Sequence, residues 1–202
     1  MKLYYFETPN GFKACSVAKH LGSPVEYVKV NLAAGEQKQP DFLAINPNGR
    51  IPALVDGDTK VWESAAIMVY LSQKAGSDLW PSGVEQVEVM RWVAWDAVHF
   101  SRHGATLFFE NIIKPNFGLG EANAAAVQEA TSFWRQFAGV LDAHLKGQDF
   151  VANNRLSIAD FSLACMLPMA EPAQIPLGEY PEVQRWFNGM MSLPAVASPY
   201  PE

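Results

Sequence analysis

The chain changes its hydrophobic grammar near residue 76. Before that point, short apolar runs alternate with turn-rich polar stretches. Lys2 to Phe6 is an aliphatic and aromatic run that predicts a strand. Thr8-Pro9-Asn10-Gly11 is a turn by its composition. From Phe12 to Leu21 the residues Cys15, Val17, Ala18 and Leu21 fall at helical spacing, and Gly22 stops the run. Glu26 to Asn31 reads as a second strand carrying Tyr27, Val28 and Val30. Pro40 to Ile45 fits a short helix, Asn46-Pro47-Asn48-Gly49 a tight turn and Ile51 to Val55 a third strand. Asp56-Gly57-Asp58 then turns the chain into Lys60 to Trp62 as a hairpin. Ser64 is placed to cap a helix from Ala65 to Lys74. The predicted order is β-α-β, a loop element, then β-β-α.

The remainder keeps a helical period. One long apolar-rich segment runs from Val84 to about Ile113 and a second from Glu121 to Lys146. In the second, Val127, Ala130, Trp134, Phe137, Leu141 and Leu145 form one stripe. Ser157-Ile158-Ala159-Asp160 has the form of a capping box ahead of an apolar helix. Pro168, Pro172 and Pro176 break the pattern, and Pro181 falls in the first turn of a last helix with Val183, Trp186 and Phe187. The expected organisation is an α/β domain over 1–76, a linker over 77–83 and an all-helical domain over 84–202.

Composition narrows the class. Hydrophobic residues make up 49% of the 202 and charged residues 18%, which excludes a disordered chain. Fifteen Lys and Arg stand against 21 Asp and Glu, for a net charge of −6. An acidic chain lacks the electrostatic footprint of non-specific nucleic-acid binding. No apolar run approaches the ~18 residues of a membrane span, and no secretory leader is visible after Met1. Cys15 and Cys165 form no CxxC and no metal-ligand spacing with a histidine. The expectation is a cytoplasmic, reduced protein without a metal.

Two blocks carry a more specific signal. Asn46-Pro47-Asn48-Gly49-Arg50-Ile51-Pro52-Ala53-Leu54 and Glu63-Ser64-Ala65-Ala66-Ile67 resemble, in sequence and spacing, the glutathione-binding motif of the cytosolic glutathione transferases. With the element order and the capping box, the resemblance covers nearly the whole chain. It implies a thioredoxin-like N-terminal domain (βαβ-ββα), an all-α C-terminal domain, a homodimer, and a detoxifying glutathione S-transferase with glutathione as co-substrate and no metal.

Physics and resemblance meet at Ser64. A serine that opens a helix lies beside unsatisfied backbone N–H groups and the positive end of the helix dipole, an anion site. The plain alternative is an ordinary N-cap. The resemblance assigns Glu63 to the α-ammonium of the γ-glutamyl end and Ser64 to its α-carboxylate. Ile51-Pro52 would be trans by general preference. The resemblance implies cis, with the Ile51 backbone pairing the cysteinyl unit. Lys38 and Arg50 are the cations available for the glycyl carboxylate, or else solvated surface charges.

A free thiol has a pKa near 8.5, and lowering it by about two units takes about 2.7 kcal/mol. One or two donors at the start of the first helix supply that much. The family places its Tyr, Ser or Cys just after the first strand, where this chain has Thr8-Pro9-Asn10-Gly11. That string, followed by Phe12-Lys13, resembles the bacterial nu-class proteins and related fungal ones, in which a Thr and an Asn hold the glutathione sulfur and disulfide reduction is prominent. Thr8 and Asn10 are therefore the expected thiolate donors, unranked. Cys15-Ser16 is similar to the cysteine turn of beta-class enzymes, but Cys15 lies five residues beyond Asn10, inside the helix. Tyr4 and Tyr5 come too early in the strand.

The resemblance also implies an electrophile pocket between the domains, with Phe6, Phe12, His99, His103 and Phe109 as wall candidates. His99 and His103 are four apart, a spacing that suits a metal, but no third ligand accompanies them. The expected activity is attack of the glutathione thiolate on a small hydrophobic electrophile or a disulfide. The alternatives are a nu-like disulfide reductase or peroxidase, and a non-catalytic interaction protein on the same fold.

Overall fold

The structure is a computed structural model that describes residues 1–201. The chain forms two compact units. One comprises Met1–Pro81 together with the C-terminal segment from Leu193, and the other comprises Ser82–Ser192.

In the first unit β1 (Lys2–Tyr5) leads into α1 (Pro9–His20) and β2 (Glu26–Lys29). After α2 (Pro40–Leu43) come β3 (Ala53–Asp56), β4 (Thr59–Trp62) and α3 (Ser64–Lys74). The sheet order is β2-β1-β3-β4. β1 pairs β2 in parallel, while β3 runs antiparallel to both β1 and β4. Strand alternation divides the side chains between two faces. Leu3 and Leu54 sit opposite each other in register and are fully buried. On the other face Tyr4, beside Ala53 in register, meets Phe42 of α2 edge-on, with ring centres 5.9 Å apart. Val30, Phe42 and Ala53 form a small core there, with Ile45 and Ile51 packed against it.

The expected elements are present, with shifted ends. α1 begins at Pro9, three residues before the apolar run, because Thr8 caps it: its hydroxyl accepts from Gly11 N at 3.1 Å. Proline suits the first helical position, where its missing N–H costs nothing. The hairpin strand begins at Ala53, after a cis Ile51-Pro52 peptide. The expectation that Ser64 caps α3 needs correction. Glu63 is the cap, with φ 70° and ψ 122°, and Ser64 is the first helical residue. The positive φ turns the chain out of β4 one residue earlier than the pattern suggested.

The second unit is helical. α4 (Gly83–Trp95) passes through a π-helical turn at Asp96–Phe100 into α5 (Ser101–Phe108). A second π turn at Phe109–Ile113 leads to α6 (Lys114–Asn116). α7 (Ala124–His144), α8 (Ile158–Ala164) and α9 (Pro181–Met191) follow. Trp134 and Leu141 of the predicted α7 stripe are fully buried, as are Phe161 of α8 and Trp186 of α9. Phe137 is only half-buried and Ala138 takes the inner position beside it.

The capping box at α8 forms as expected. The Asp160 carboxylate accepts from Ser157 N at 2.9 Å and Ser157 Oγ at 3.1 Å, and also from Val151 N at 2.9 Å and Trp186 Nε1 at 3.0 Å. Burial pushes its pKa up to about 6 against the pull of these four donors.

The expected helical domain runs to residue 202, but the segment from Leu193 packs with the sheet-bearing unit instead. α10 (Pro194–Ala197) lies against α1, Lys19 Nζ donates to Ser198 O at 2.5 Å, and Tyr200 stacks on Tyr5 with ring centres 5.9 Å apart.

Candidate active site

Two helix N-termini and one turn, all in the first unit, bring the motif residues together. α1 offers few free donors in its first turn. Pro9 has no N–H, Gly11 N is taken by the Thr8 hydroxyl, and Phe12 N donates to Thr8 O at 2.8 Å. The Asn10 N–H is left without an acceptor among the described residues. The geometry also makes Gly11 indispensable, since a Cβ there would lie 2.1 Å from Phe6 O. The turn composition of Thr8 to Gly11 hinted at this glycine but could not locate the carbonyl it avoids.

At α3 the cap is open. Glu63 makes no side-chain hydrogen bond to the helix, and the first intrahelical bond is Ile67 N to Glu63 O at 3.0 Å. Ser64, Ala65 and Ala66 therefore carry the unsatisfied N–H groups of this terminus. Their dipole-aligned N–H groups suit a carboxylate. Glu63, exposed beside them, occupies a backbone region that costs an ordinary residue about 1–3 kcal/mol, and such outliers cluster at ligand sites. The Ser64 hydroxyl donates to Asn10 Oδ1 at 3.4 Å across 54 residues of sequence, which places the α3 terminus beside the α1 terminus. With its carbonyl oxygen so used, Asn10 keeps its Nδ2 donors, and these have no acceptor among the described residues.

The turn before the cis proline is held by Asn46, which the sequence pattern marks as part of a turn and of the first motif block without a role of its own. Asn46 is buried. Its amide donates to Arg50 O at 2.6 Å, and its oxygen accepts from Asn48 N and Nδ2 at 3.1 and 3.0 Å. Ile51, half-buried, follows directly and precedes the first residue of β3, so the sheet ladder leaves its backbone unpaired. Lys38 reaches over the same turn, with Nζ donating to Asn48 O at 3.4 Å, and Gly49 at φ 59° has no Cβ to block it. The Arg50 side chain is exposed.

Cys15 stands apart from this cluster. It is fully buried, and burial together with the Glu7 charge pushes its thiol up to about 12. At neutral pH it is a protonated core residue, so the structure offers no support for the cysteine alternative.

The pocket-wall candidates divide between the units. Phe12 is buried inside the first, and half-buried Phe6 lies 5.4 Å from the Lys29 ammonium. In the second unit His99 and His103 share a face of the helix that includes the first π turn. The His99 ring lies 4.5 Å from Phe137, and His103 stacks on Phe133 at 4.9 Å. Burial, then the Arg102 charge, lowers the His103 pKa; Glu129 pulls the other way, and His99 adds a smaller push downward. Phe109 begins the second π turn and is partly exposed. Among the described residues no group of three or more His, Cys, Asp or Glu stands close enough to hold a metal.

A four-stranded thioredoxin-like sheet, a cis proline just before β3 and an open α3 terminus beside the capped α1 turn characterise the first unit. Family comparison agrees. Residues 1–73 match the N-terminal domain model of the glutathione S-transferases and residues 101–194 the C-terminal domain model. A curated relative, glutathione S-transferase 3 of Zea mays, is 34% identical over 203 residues, covering 96% of this chain and 90% of its own length. The structure of the maize glutathione S-transferase I in complex with an atrazine glutathione conjugate superposes with a TM-score of 0.89 at 30% identity, over 98% of this chain and 95% of that one. A glutathione transferase from Pseudomonas putida with one glutathione disulfide bound per subunit gives 0.89 at 25% identity, over 98% and 89%. The chain belongs to the glutathione S-transferase family.

Proposed function

We propose that this glutathione-dependent transferase binds reduced glutathione across the α1 turn, the cis-proline turn and the open end of α3, and that Asn10 and Thr8 stabilise its thiolate. The α-carboxylate of the γ-glutamyl end sits on the Ser64 hydroxyl and the free N–H groups of α3. Glu63 receives the α-ammonium, the Ile51 backbone pairs the cysteinyl unit, and Lys38 and Arg50 face the glycyl carboxylate. The observation that carries this reading is the Ser64–Asn10 hydrogen bond, which sets the open end of α3 and the remaining donors of Asn10 within reach of one tripeptide. The hydrogen bonds at this turn favour Asn10 over Thr8 as the main donor. Asn10 keeps an N–H and an amide free, whereas Thr8 spends its oxygen on the helix cap and points its proton at Phe6 O at 3.5 Å.

In the reaction the thiolate forms an S–C bond with a small hydrophobic electrophile, and the leaving group departs with the bonding pair. The protein supplies positioning and thiolate stabilisation and needs little acid–base machinery. Phe6, half-buried beside the α1 turn, is the candidate in the first unit for contact with the electrophile, and the active form is a cytoplasmic homodimer that uses no metal. A second reading is favoured by the nu-like Thr8-Pro9-Asn10 turn and by the relative that holds glutathione disulfide. There the thiolate attacks one sulfur of a disulfide, the S–S bond breaks, and the other sulfur leaves as a thiolate.

Calorimetric titration with glutathione and, in a matched run, with glutathione disulfide tests both. Preferential binding of reduced glutathione supports the conjugating enzyme. Comparable or tighter binding of the disulfide supports the reductase. Absence of heat from both, with the protein folded, overturns the glutathione site.

A further inference from the structure

The C-terminal segment lies against the element that carries the proposed thiolate site. The Tyr200 hydroxyl donates to Thr8 O at 3.1 Å, 192 residues away in sequence, and the same oxygen accepts from Phe12 N at 2.8 Å. The Tyr200 ring stacks on Tyr5 of β1, the strand that feeds the turn, at an interplanar angle of 18°. Ala195 and Val196 of α10 are buried, and Lys19 in the last turn of α1 holds Ser198 O at 2.5 Å. The segment thus grips α1 near both ends.

We propose that Tyr200 is a positioning residue for thiolate stabilisation, acting through the Thr8–Pro9 peptide. A carbonyl oxygen has two lone pairs, and here both are engaged by donors from different parts of the chain. That fixes the plane of the Thr8–Pro9 peptide, and because the proline ring locks φ at Pro9, only the Pro9 ψ separates that plane from the peptide that carries the Asn10 N–H. Without the tyrosine hydroxyl only the Phe12 bond within the helix restrains the plane, and a fraying first turn aims its donors less well. Tyr200 touches no reacting atom. The inference rests on the glutathione reading above and adds to it a residue outside the N-terminal motif.

The test is the pKa of the thiol of bound glutathione, followed by thiolate absorbance against pH, in wild type, Tyr200→Phe and Lys19→Met. Tyr200→Phe keeps the ring on Tyr5 and removes only the hydroxyl. We expect its bound thiol to titrate about half a unit higher, an about threefold loss of thiolate at pH values well below the wild-type titration midpoint. kcat/KM measured at least one pH unit below that midpoint falls by about the same factor, with glutathione affinity within about twofold and the melting curve unchanged. Lys19→Met, which frees the far anchor, shifts the thiol in the same direction by less. A bound thiol that titrates identically in all three folded proteins overturns the positioning role and leaves the glutathione site standing. A wild-type protein that binds glutathione without lowering its thiol pKa, or does not bind it, overturns both, and calorimetry on the wild type alone separates that result from the first.

Discussion

Asn10 and Cys15 lie five residues apart on one helix and meet opposite fates. Asn10 is exposed at the helix entrance with donors to spare, while Cys15 is sealed in the core with its thiol pushed up to about 12. Asn10→Ala is therefore expected to lower kcat/KM by about tenfold or more, the scale of one well-aimed donor to a charged group. Thr8→Ala costs about 1 kcal/mol of stability through the lost cap and less activity than Asn10→Ala. Steady-state kinetics and thermal melts of the two variants check the ranking, and equal losses of activity would contradict it. Cys15 supports the opposite expectation. Native protein resists alkylation at pH 8, and Cys15→Ala keeps its turnover. The sign for stability follows from linkage. The folded state keeps the Cys15 proton between about pH 9 and 12 where the unfolded chain loses it, so stability falls as pH rises through that window. Cys15→Ala flattens that decline in alkaline denaturation curves.

Two caps set the elements to different uses. At α3 the strained Glu63 leaves the terminus open; at α8 the Ser157 hydroxyl accepts from Ala159 N and the buried Asp160 carboxylate accepts from four donors around it. Glu63→Gly relieves the positive φ, so the melting temperature is expected to hold or rise while glutathione affinity falls tenfold or more. Binding and melting measured on one preparation would show the two moving apart, and a parallel loss would mean that Glu63 is merely structural. Asp160→Ala strands buried N–H groups of Val151, Ser157 and Trp186, each costing about 1–3 kcal/mol. Urea denaturation should register a loss of several kcal/mol, with glutathione affinity intact in the molecules that remain folded. Loss of affinity at unchanged stability would move Asp160 from folding to binding. The caps differ in legibility. The Ser157 to Asp160 box lies within four residues and declares itself. The cap at Glu63 depends on a φ that glutamate seldom adopts, so the sequence pattern placed it at Ser64.

For the molecule as a whole, α4 keeps an apolar stripe facing solvent: Val84, Val87 and Met90 recur every three residues and are all exposed. Contiguous exposed apolar surface of this kind marks an interaction face, and a second copy of the chain is the partner the homodimer proposal names. Analytical ultracentrifugation is expected to give twice the chain mass for wild type and a shift toward the monomer for Val87→Asp with Met90→Lys. An unchanged dimer in that double variant would place the interface elsewhere.

The amino-acid pattern was enough to read the strands and main helices of the sheet-bearing half, the helical character of the remainder and the α8 box, and to name the residues proposed for glutathione. Those features rest on periodicity, caps and turns, which act over about ten residues or fewer, and on two short motif blocks. Register and packing settled the rest. They brought Ser64 to Asn10 across 54 residues and left Asn10 with more free donors than Thr8. They made Asn46 the buried organiser of the cis-proline turn. They also returned the segment from Leu193 to α1, where Tyr200 reaches the Thr8 carbonyl. Nothing local in Ser-Pro-Tyr distinguishes a chain end in solution from one that stacks on the first strand; the partner surface exists only once β1 and α1 have been built.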